Sequence, residues 1–594
     1  MDFLSKRTDR FHAQALAFSQ SRPDMITATA DEILRHQFSF YGERHCLDCA
    51  IDWDANPGTG HWVHDLNRFL FLDPLVAAFR ETGEERYAGK CIELILSWIA
   101  QSERLGFSGT RFMFKSYLNI AIHLKAWVEC LAAIDALNSE LLDDAAFKTI
   151  CTSIGRQLEW LDHAVPRARN NWVFIGCMGA LTTVAFLPGL PGSTEISARS
   201  WSRIEEALAR QVLPDGVHDE MTPHYHLTVV SCVLKSLAYA EWTPTPPSPA
   251  IRSRVGAMLH YLEQTLTPDG LQVAFNESDP DCTRLVRRTL AIPLASGLLK
   301  SDGRALESEC FPWAGMIFMR EGTARGREEL YLAFDAGSFG VSHQHEDKLG
   351  FWLSAFGRSL VVDPGRHLYD ASEASFRSFL ASTAAHSTMT IDGQGQNSLA
   401  ARERPGAWRP LAPQPLVWKK YPDGTCEAGA FYNLGYGATQ MAVTHFRIIF
   451  FFSDLQAWAV VDAIEGEGEH LMESRFQFAP GVLNAGPSQV QTAFPDANLL
   501  IQGRRGDWAQ VSIHCGEQSP RAGWFSPGYN RIEPAPCALF STGTRRLPWL
   551  GVLALIPFRG TAPVDPAITA ECLSRAESKY LPILQELREK EAVS

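Results

Sequence analysis

The sequence predicts a multidomain α+β protein in which a helical first half precedes an antiparallel β-sandwich. From about residue 30 to residue 299, apolar residues recur at helical spacing, and short turns rich in Gly, Pro and Asp separate the segments. After Pro312 the pattern changes to period-two alternation and short apolar runs. A chain of 594 residues is also too long for one hydrophobic core. We therefore place a helical domain at residues 1–305 and a β-sandwich domain at residues 306–594.

The helical half reads as a series of antiparallel helical hairpins. Such a series forms either a solenoid or a toroid, and no fixed-period repeat decides between them. The clearest predicted helices are Tyr87–Gln101, Lys115–Leu131, Ala145–Leu161, Ser200–Leu213 and Leu227–Glu241.

The second half divides into a central part, about residues 312–480, and a C-terminal sheet, about residues 481–594. A helix is predicted near the end, over Pro566–Glu591, from its charged composition and spacing. The predicted strands are Met316–Arg320, Glu329–Phe334, Leu349–Val362, Ser387–Ile391, Val443–Phe452, Trp458–Ile464, Glu473–Phe478 and Ala509–His514.

Composition limits the possible partners and the cellular location of the protein. Lys and Arg number 54 against 67 Asp and Glu, so the formal net charge is −13, which argues against nucleic acid as a partner. We identify no signal-peptide pattern and no membrane-spanning segment, and expect a cytoplasmic protein. The 13 scattered cysteines fit reduced thiols. The oligomeric state is left open, with a homodimer as one alternative.

A polar cluster lies between two strand-like segments, in the sequence SHQHEDKLGF. If this stretch were extended, His343, His345 and Asp347 would share one face, because side chains alternate along a strand. Three groups that move protons or bind a metal would then lie together. The alternative is a hydrogen-bonded strand end without a function.

This cluster and several other phrases resemble the heparinase II/III-like polysaccharide lyases, which include heparan sulfate lyases and oligoalginate lyases. The resemblance covers roughly residues 40–480 and implies an incomplete (α/α) toroid whose helix-linking loops line a sugar cleft. The phrases, in the order of that family, are IDWDANPGTGHWVHDLNRFLFL, RNNWVFIGCMGAL, LPDGVHDEMTPHYH, VAFNESD, SHQHEDKLGF, LVVDPGRHLYD and STAAHSTMTIDGQGQ.

The resemblance implies three catalytic residues for β-elimination from a uronic acid. Asn171 matches the residue that neutralises the substrate carboxylate, Tyr225 the catalytic tyrosine and His343 the catalytic histidine. Tyr225 would donate a proton to O4 and, for one sugar epimer, also remove the C5 proton, whereas His343 would be the base for the other epimer. A tyrosine with an ordinary pKa of about 10 needs a nearby cation to act as a base, and His224 or His226 is the expected source.

Each of these positions also has a structural alternative. Asn171 suits a helix N-cap, and Thr222-Pro223 suits a helix start, which would make Tyr225 an ordinary part-buried aromatic.

The resemblance also implies a divalent metal. His345, Asp363 and His386 match three metal ligands, and two imidazoles with one carboxylate suit zinc; calcium is the alternative. We expect the metal to be structural, with no organic cofactor, because the elimination already has its acid and its base.

The substrate-binding residues are expected in the motif loops. One departure from the family matters, since Trp172 follows Asn171 where several members have His, which loses a polar group and offers a stacking surface. The expected binding residues are Asn67, Arg68, Trp172, His226, Arg366 and Tyr369.

The sequence therefore predicts a lyase that cleaves 4-linked uronic-acid glycans and leaves unsaturated uronate ends. A heparan-sulfate-like glycosaminoglycan or its oligosaccharides is the first substrate, and oligoalginate or a glucuronate-containing bacterial exopolysaccharide is the alternative. Other classes stay open: a non-catalytic sugar-binding protein, or a glycoside hydrolase, which needs two opposed carboxylates. Glu220, Asp219 and Asp65 are the obvious candidates for those carboxylates.

Overall fold

The chain forms two compact units, each assembled from separate segments. The first unit comprises Met1–Gln211, Thr228–Gly256 and Arg287–Leu299, and the second comprises Val212–Leu227, Ala257–Val286 and Lys300–Ser594. The division of the chain near residue 305 stays a prediction, and residues 301–305 lie outside the described part. The computed structural model describes residues 23–59, 61–105, 116–137, 142–165, 170–281, 286, 289, 306–322, 328–369, 375–397, 410–437 and 441–593.

Helices follow one another through the first part of the chain, as the 3.6-residue period predicts. Each of the five clearest predicted segments coincides with a helix over most of its described residues, and Lys115 lies outside the described part. Whether they close into a toroid stays a prediction. The helices are α1 (Pro23–Leu34), α2 (Trp62–Arg68), α3 (Leu72–Thr82), α4 (Glu85–Leu105), α5 (Tyr117–Ala136), α6 (Asp144–Ala164), α7 (Trp172–Phe186), α8 (Ser193–Gln211), α9 (Pro223–Ala238) and α10 (Pro249–Gln264).

Helices α5 and α7 pack closely in the core of the first unit. A Cβ atom on Gly179 of α7 would lie 2.3 Å from the carbonyl oxygen of Ala121 in α5, so only glycine permits this approach. By length and composition α5 could also span a membrane, whereas the sequence analysis identified no membrane-spanning segment. However, 72% of its apolar window is buried within the structure, as in the core helix of a soluble protein.

The second unit contains three antiparallel sheets that match the predicted period-two segments. One correction concerns Leu349–Val362, predicted as one strand, because the chain turns at Phe356 and Gly357, both with positive φ, and forms two strands. The sheets contain five strands (order β3-β4-β5-β6-β7), four strands (β17-β22-β13-β8) and eight strands (β14-β15-β16-β23-β12-β11-β10-β9).

Three two-stranded pairs, β1-β2, β18-β19 and β20-β21, complete the strand pairing of the described residues. The strands are β1 (Gln37–Phe40), β2 (Glu43–Cys46), β3 (Glu309–Phe311), β4 (Met316–Glu321), β5 (Leu330–Asp335), β6 (Phe351–Ala355), β7 (Arg358–Val361), β8 (Met389–Ile391), β9 (Val417–Lys420), β10 (Cys426–Tyr432), β11 (Thr444–Phe452), β12 (Ala457–Glu465), β13 (Glu469–Gln477), β14 (Leu483–Gly486), β15 (Gln489–Thr492), β16 (Ala497–Gly503), β17 (Gln510–His514), β18 (Glu517–Gln518), β19 (Arg521–Ala522), β20 (Trp524–Phe525), β21 (Glu533–Pro534), β22 (Cys537–Arg546) and β23 (Trp549–Arg559).

The main core of the second unit contains alternate residues from all three large sheets, for example Leu332, Phe476 and Leu555. The other face of the eight-stranded sheet is covered by the predicted C-terminal helix, which spans Pro566–Ala592. A short helix, Arg377–Leu380, precedes β8. This core holds the ends of β5, β6 and β7, and the segments that follow β5 and β7 carry five predicted site residues: His343, His345, Asp363, Arg366 and Tyr369.

Candidate active site

Tyr225 and His343 lie against each other in the second unit. Helix α9 begins at Pro223, so Tyr225 belongs to its first turn. His343 lies in the loop between β5 and β6 and has a φ of 58°, in the left-handed region that few residues other than glycine adopt. The two ring centroids are 3.8 Å apart and the ring planes differ by 20°. The fold thus brings the two predicted catalytic rings face to face.

The imidazole of His343 is held through its Nδ1 atom. This nitrogen lies 2.7 Å from Oε2 of Glu220 and 3.0 Å from the hydroxyl of Ser342. Because a carboxylate only accepts hydrogen bonds, the proton belongs on Nδ1 and the lone pair on Nε2. The carboxylate of Glu277 lies 4.0 Å from Nε2. His343 is therefore oriented as a base that acts through Nε2.

The predicted one-face arrangement of His343, His345 and Asp347 is wrong. The chain between β5 and β6 is a loop and not an extended strand, so the alternation rule does not apply. The positive φ of His343 sends its ring to Tyr225, whereas His345 and Asp347 meet His386. One predicted cluster becomes two separate centres.

Arg366 connects Tyr225 to a buried carboxylate. Its Nε and Nη2 atoms lie 3.0 and 2.7 Å from the two oxygens of Asp279, a two-point contact that fixes the guanidinium plane. The remaining Nη1 donates to the hydroxyl of Tyr225 at 3.0 Å and also to the hydroxyl of Tyr369. The two phenol hydroxyls are themselves hydrogen-bonded.

This network sets the protonation of Tyr225. Burial raises the pKa of Tyr225, and the Arg366 guanidinium acts in the opposite direction. The phenol is therefore protonated at neutral pH, with a cation in place to stabilise the phenolate once a proton has left. Arg366 was predicted only as a substrate-binding residue.

The cation beside Tyr225 is Arg366 and not one of the neighbouring histidines. Burial, followed by the charge of Arg366, lowers the pKa of His224 to about 4, so that ring is neutral near pH 7. Burial also lowers the pKa of His226 to about 3. His226 is fully buried; its Nδ1 accepts from the backbone N–H of His218 at 3.2 Å and its Nε2 lies 2.9 Å from the carbonyl oxygen of Met258. This structural position disagrees with the predicted substrate-binding role of His226.

Asn171 and Trp172 lie in the first unit, at the start of α7. Asn171 occupies the N-cap position of α7, as the structural alternative predicted, but its buried side chain makes no capping hydrogen bond. Trp172 is 44% exposed, and its indole is stacked with the ring of Tyr117 at 6.3 Å and 17°. A Cβ atom on Gly176 would overlap the hydroxyl of Tyr117, so this glycine makes room for the pair. The catalytic role of Asn171 and the binding role of Trp172 stay predictions.

The structure gives Asn67 a place in the core of the first unit. Its amide nitrogen donates to the carbonyl oxygens of Trp53 and Val63 at 2.7 and 2.9 Å, and its oxygen accepts from the indole of Trp98 at 2.9 Å. A fully buried amide used in this way is not available to a sugar, so the predicted binding role of Asn67 is corrected. Arg68 is partly exposed and donates to Asp65 at 2.7 Å, and its binding role stays a prediction.

A second centre combines His345, Asp347 and His386. Each offers one possible metal-binding atom, and these atoms lie within 4.8 Å of one another. All three residues are buried, and His345 Nδ1 and His386 Nε2 lack a hydrogen-bond partner among the described residues. Burial and then His386 lower the pKa of His345 to about 3, so its ring nitrogen keeps a lone pair. Buried ring nitrogens without partners, beside a carboxylate, fit a zinc ion.

Asp363 contacts this centre indirectly. Its Oδ2 accepts from His386 Nδ1 at 2.8 Å, which leaves Nε2 as the free nitrogen of that ring. A carboxylate on the far side of a metal-binding histidine commonly fixes the ring and its tautomer. The sequence analysis named Asp347 in the polar cluster but assigned the metal to Asp363, because the resemblance supplied that residue.

The sequence analysis did not predict the contacts that four residues make in the site: Glu220, Asn276, Glu277 and Asp279. Glu220 was considered only as a hydrolase carboxylate. Glu277 pairs with Arg377 at 2.8 Å, and Asp279 pairs with Arg366. Both carboxylates lie in the quoted phrase VAFNESD. In the same phrase Asn276, at φ 61°, accepts from the backbone N–H of His345 and donates to the carbonyl oxygen of Met221. The two carboxylates of VAFNESD were the sequence feature that could have indicated these contacts.

The chain belongs to the heparinase II/III-like family. Residues 1–292 match the family model described as the heparinase II/III N-terminus, and residues 304–560 match the heparinase II/III-like C-terminal model. Among curated relatives, a heparin-sulfate lyase of Bacteroides thetaiotaomicron is 21% identical over 545 residues, which are 83% of this chain and 74% of that protein. A heparin-sulfate lyase of Pedobacter heparinus is 23% identical over 427 residues, which are 68% of this chain and 63% of that protein.

Solved structures share the fold. A crystal structure of heparinase III matches with a TM-score of 0.73 at 15% identity, covering 92% of this chain and 86% of that chain. A mutant of the heparan sulfate lyase HepC from Pedobacter heparinus matches with a TM-score of 0.64 at 20% identity, covering 92% and 85%. A chondroitin AC lyase of Streptomyces coelicolor, in complex with chondroitin sulphate, gives 0.55 at 10% identity, covering 94% and 81%.

Proposed function

We propose that this protein is a polysaccharide or oligosaccharide lyase that cleaves 4-linked uronic-acid glycans by β-elimination. One observation carries the proposal: the Tyr225 hydroxyl receives a hydrogen bond from the Arg366 guanidinium, and the Tyr225 ring is stacked on the ring of His343, whose Nδ1 contacts Glu220 and whose Nε2 is left to act as the base. An acid and a base are thus paired in one place, as elimination requires and as simple sugar binding does not.

The reaction needs a proton removed from C5 and a proton given to the departing O4. Burial keeps Tyr225 protonated, so its hydroxyl is ready to donate to O4, and Arg366 stabilises the phenolate that is left. His343 removes the C5 proton through Nε2 when that proton lies on the opposite face of the ring from O4. When both lie on the same face, Tyr225 first loses its own proton to solvent, removes the C5 proton as the phenolate that Arg366 stabilises, and then returns that proton to O4. The amide of Asn171, by resemblance, hydrogen-bonds the substrate carboxylate.

The substrate class rests on the named relatives. These relatives are named as lyases of heparin-sulfate or heparan sulfate, so a heparan-sulfate-like glycosaminoglycan or its oligosaccharides is the first candidate. Oligoalginate or a glucuronate-containing exopolysaccharide is the alternative. Action in the cytoplasm, on imported oligosaccharides, is part of the proposal.

Hydrolysis is the second candidate reaction, and the geometry favours it less. It requires two carboxylates that face the scissile bond from opposite sides. The carboxylate of Glu220 is fully buried against His343, and Asp65 is bonded to Arg68 in the first unit.

The proposal includes a structural divalent metal held by His345, His386 and Asp347, with Asp363 supporting His386. Zinc suits this donor set because calcium prefers oxygen ligands. When bound, the metal would cross-link the β5–β6 loop to the segment before β8. Tyr225 and His343, the proposed acid and base, are not among the metal ligands.

The test is absorbance near the unsaturated-uronate band during incubation with heparan sulfate, heparin, hyaluronan, chondroitin sulfate, alginate, polyglucuronate and their oligomers. Tyr225→Phe is expected to lower the rate by about 10²- to 10⁴-fold, because it removes the proton donor alone. Tyr369→Phe is the matched control, since it removes the other hydroxyl bonded to Arg366, and we expect a smaller loss. New reducing ends without absorbance would refute elimination in favour of hydrolysis, and neither signal would favour sugar binding without catalysis.

A further inference from the structure

Glu220 is a fully buried carboxylate that reaches the ring of His343. Its relative exposure is 0%, and its Oε2 lies 2.7 Å from His343 Nδ1. Removing a carboxylate from water costs several kcal/mol unless it is paired and hydrogen-bonded. The short contact with Nδ1 is the kind of partner that such a carboxylate needs.

The carboxylate is not required to hold the two chain segments together, because their backbones are joined without it. Gln344 Nε2 donates to the carbonyl oxygen of Glu220 at 2.7 Å, and the N–H of Val341 donates to the carbonyl oxygen of Asp219 at 3.1 Å. A Cβ atom on Gly340 would lie 2.6 Å from the Glu220 carbonyl oxygen. The two segments are thus in close contact through their backbones, and holding them together does not account for the Glu220 carboxylate.

We propose that Glu220 is a positioning residue that fixes the tautomer of His343, with the proton on Nδ1 and the lone pair on Nε2. A second group competes for the same nitrogen. The hydroxyl of Ser342 lies 3.0 Å from Nδ1 and is able either to accept or to donate. Without the carboxylate, Ser342 donates to a bare Nδ1 and the proton moves to Nε2, where His343 is no longer a base. Glu220 excludes that state because a carboxylate cannot donate.

The consequence depends on the substrate epimer, and it rests on the proposed function. His343 is the base only for the uronate whose C5 proton lies opposite O4, as in iduronate. For the other epimer, glucuronate, Tyr225 performs both proton transfers. A variant in which the proton of His343 has moved to Nε2 should therefore lose activity on the iduronate substrate only. A structural defect in the loop should lower activity on both epimers.

The experiment compares two tetrasaccharides that differ only in the C5 configuration of the uronate. Glu220→Gln keeps the size of the side chain and removes its charge. We expect kcat on the iduronate substrate to fall by about 10²- to 10⁴-fold, as for other histidine bases left in the wrong tautomer. We expect kcat on the glucuronate substrate to change by less than about 3-fold. Gln344→Ala is the matched control, because it loosens the same two segments without touching Nδ1, and its effects on the two epimers should be equal.

A second measurement does not need activity. In protein labelled with ¹⁵N-histidine, the signal of His343 is assigned by its loss in His343→Ala. At a pH of about 8.5, where an ordinary imidazole is neutral, the wild-type ring should carry its proton on Nδ1 and the ring of Glu220→Gln on Nε2.

The outcomes separate the two proposals. Equal loss on both epimers, or no loss on either, overturns the positioning role of Glu220. So does a wild-type His343 that is protonated on Nε2. If wild-type protein forms no unsaturated product from either epimer, the proposed function fails, and the nitrogen spectrum alone then decides the role of Glu220.

Discussion

Replacement of Arg366 by methionine should separate the chemistry of the tyrosine from the stability of its surroundings. The guanidinium gives Tyr225 a charged hydrogen bond at 3.0 Å. Charged hydrogen bonds contribute about 1.5–3 kcal/mol, and each 1.36 kcal/mol is a factor of ten in rate. We therefore expect kcat to fall by about 10- to 10²-fold. Because Arg366 opposes the burial that raises the pKa of Tyr225, its loss raises that pKa further. On a substrate for which Tyr225 must first become a phenolate, the increase of kcat with pH should therefore move to higher pH.

The same change should also destabilise the second unit. Asp279 and Arg366 are only 12% and 11% exposed at their side chains, and breaking a buried pair by removing one partner costs about 3–5 kcal/mol. Initial rates are measured by absorbance of the unsaturated product, and stability by urea titration. Arg366→Lys keeps the charge but loses the planar two-point contact, so both effects should be intermediate.

Arg377→Met is the matched control for this experiment. Arg377 is paired with Glu277 at 2.8 Å and is 40% exposed at its side chain, and its guanidinium donates to Glu277 and not to Tyr225. We expect little change in kcat. If Arg366→Met lost stability but kept kcat within about 3-fold, the role assigned to its charge would be refuted, and the same holds if Arg377→Met lost as much activity.

Three further predictions concern other parts of the molecule. Burial alone would raise the pKa of Asp462, but Arg447 and His445 together outweigh it and hold that pKa well below its usual range. The stabilising effect of the Asp462 carboxylate is thus present above about pH 4 and lost as the pH falls. Asp462→Asn should lower the free energy of unfolding by about 3–5 kcal/mol at pH 7. Urea titrations should also show a smaller loss of stability at acid pH than in the wild type, and an unchanged pH dependence would contradict this. Removal of metal by a chelator should lower the Tm, zinc should restore it, and His386→Ala should bind no metal by elemental analysis; full zinc content in that variant would refute the ligand set. Trp172→Ala should raise KM several-fold with kcat nearly unchanged and stability within about 0.5 kcal/mol, and an unchanged KM would exclude a stacking role.

Periodicity predicted the secondary structure well because it depends on local burial. The C-terminal helix predicted over Pro566–Glu591 spans Pro566–Ala592, and Tyr87–Gln101 lies within Glu85–Leu105. The errors occurred where one residue has an unusual backbone conformation. A positive φ at Phe356 ended a predicted strand, and a positive φ at His343 divided one predicted cluster into two.

The roles of individual polar residues depended on contacts that are distant in sequence. Nothing local distinguishes Asn67, whose amide is saturated by core groups, from an asparagine that binds a sugar. Likewise the pairing of Glu220 with His343 joins residues that lie in separate segments of the chain. The resemblance supplied Tyr225 and His343 as candidates, but the groups that set their protonation became visible only in the folded chain.

The order of strands in the eight-stranded sheet has a consequence for how the protein is made. Strand β23 lies between β12 and β16 and is the last strand of the sheet in chain order. During synthesis from the N-terminus, β12 and β16 each present a free edge until β23 emerges, and free edges pair readily with other chains. The nascent protein therefore carries two incomplete half-sheets from the synthesis of β16 until that of β23, and aggregation during expression should depend on chaperones that protect those edges.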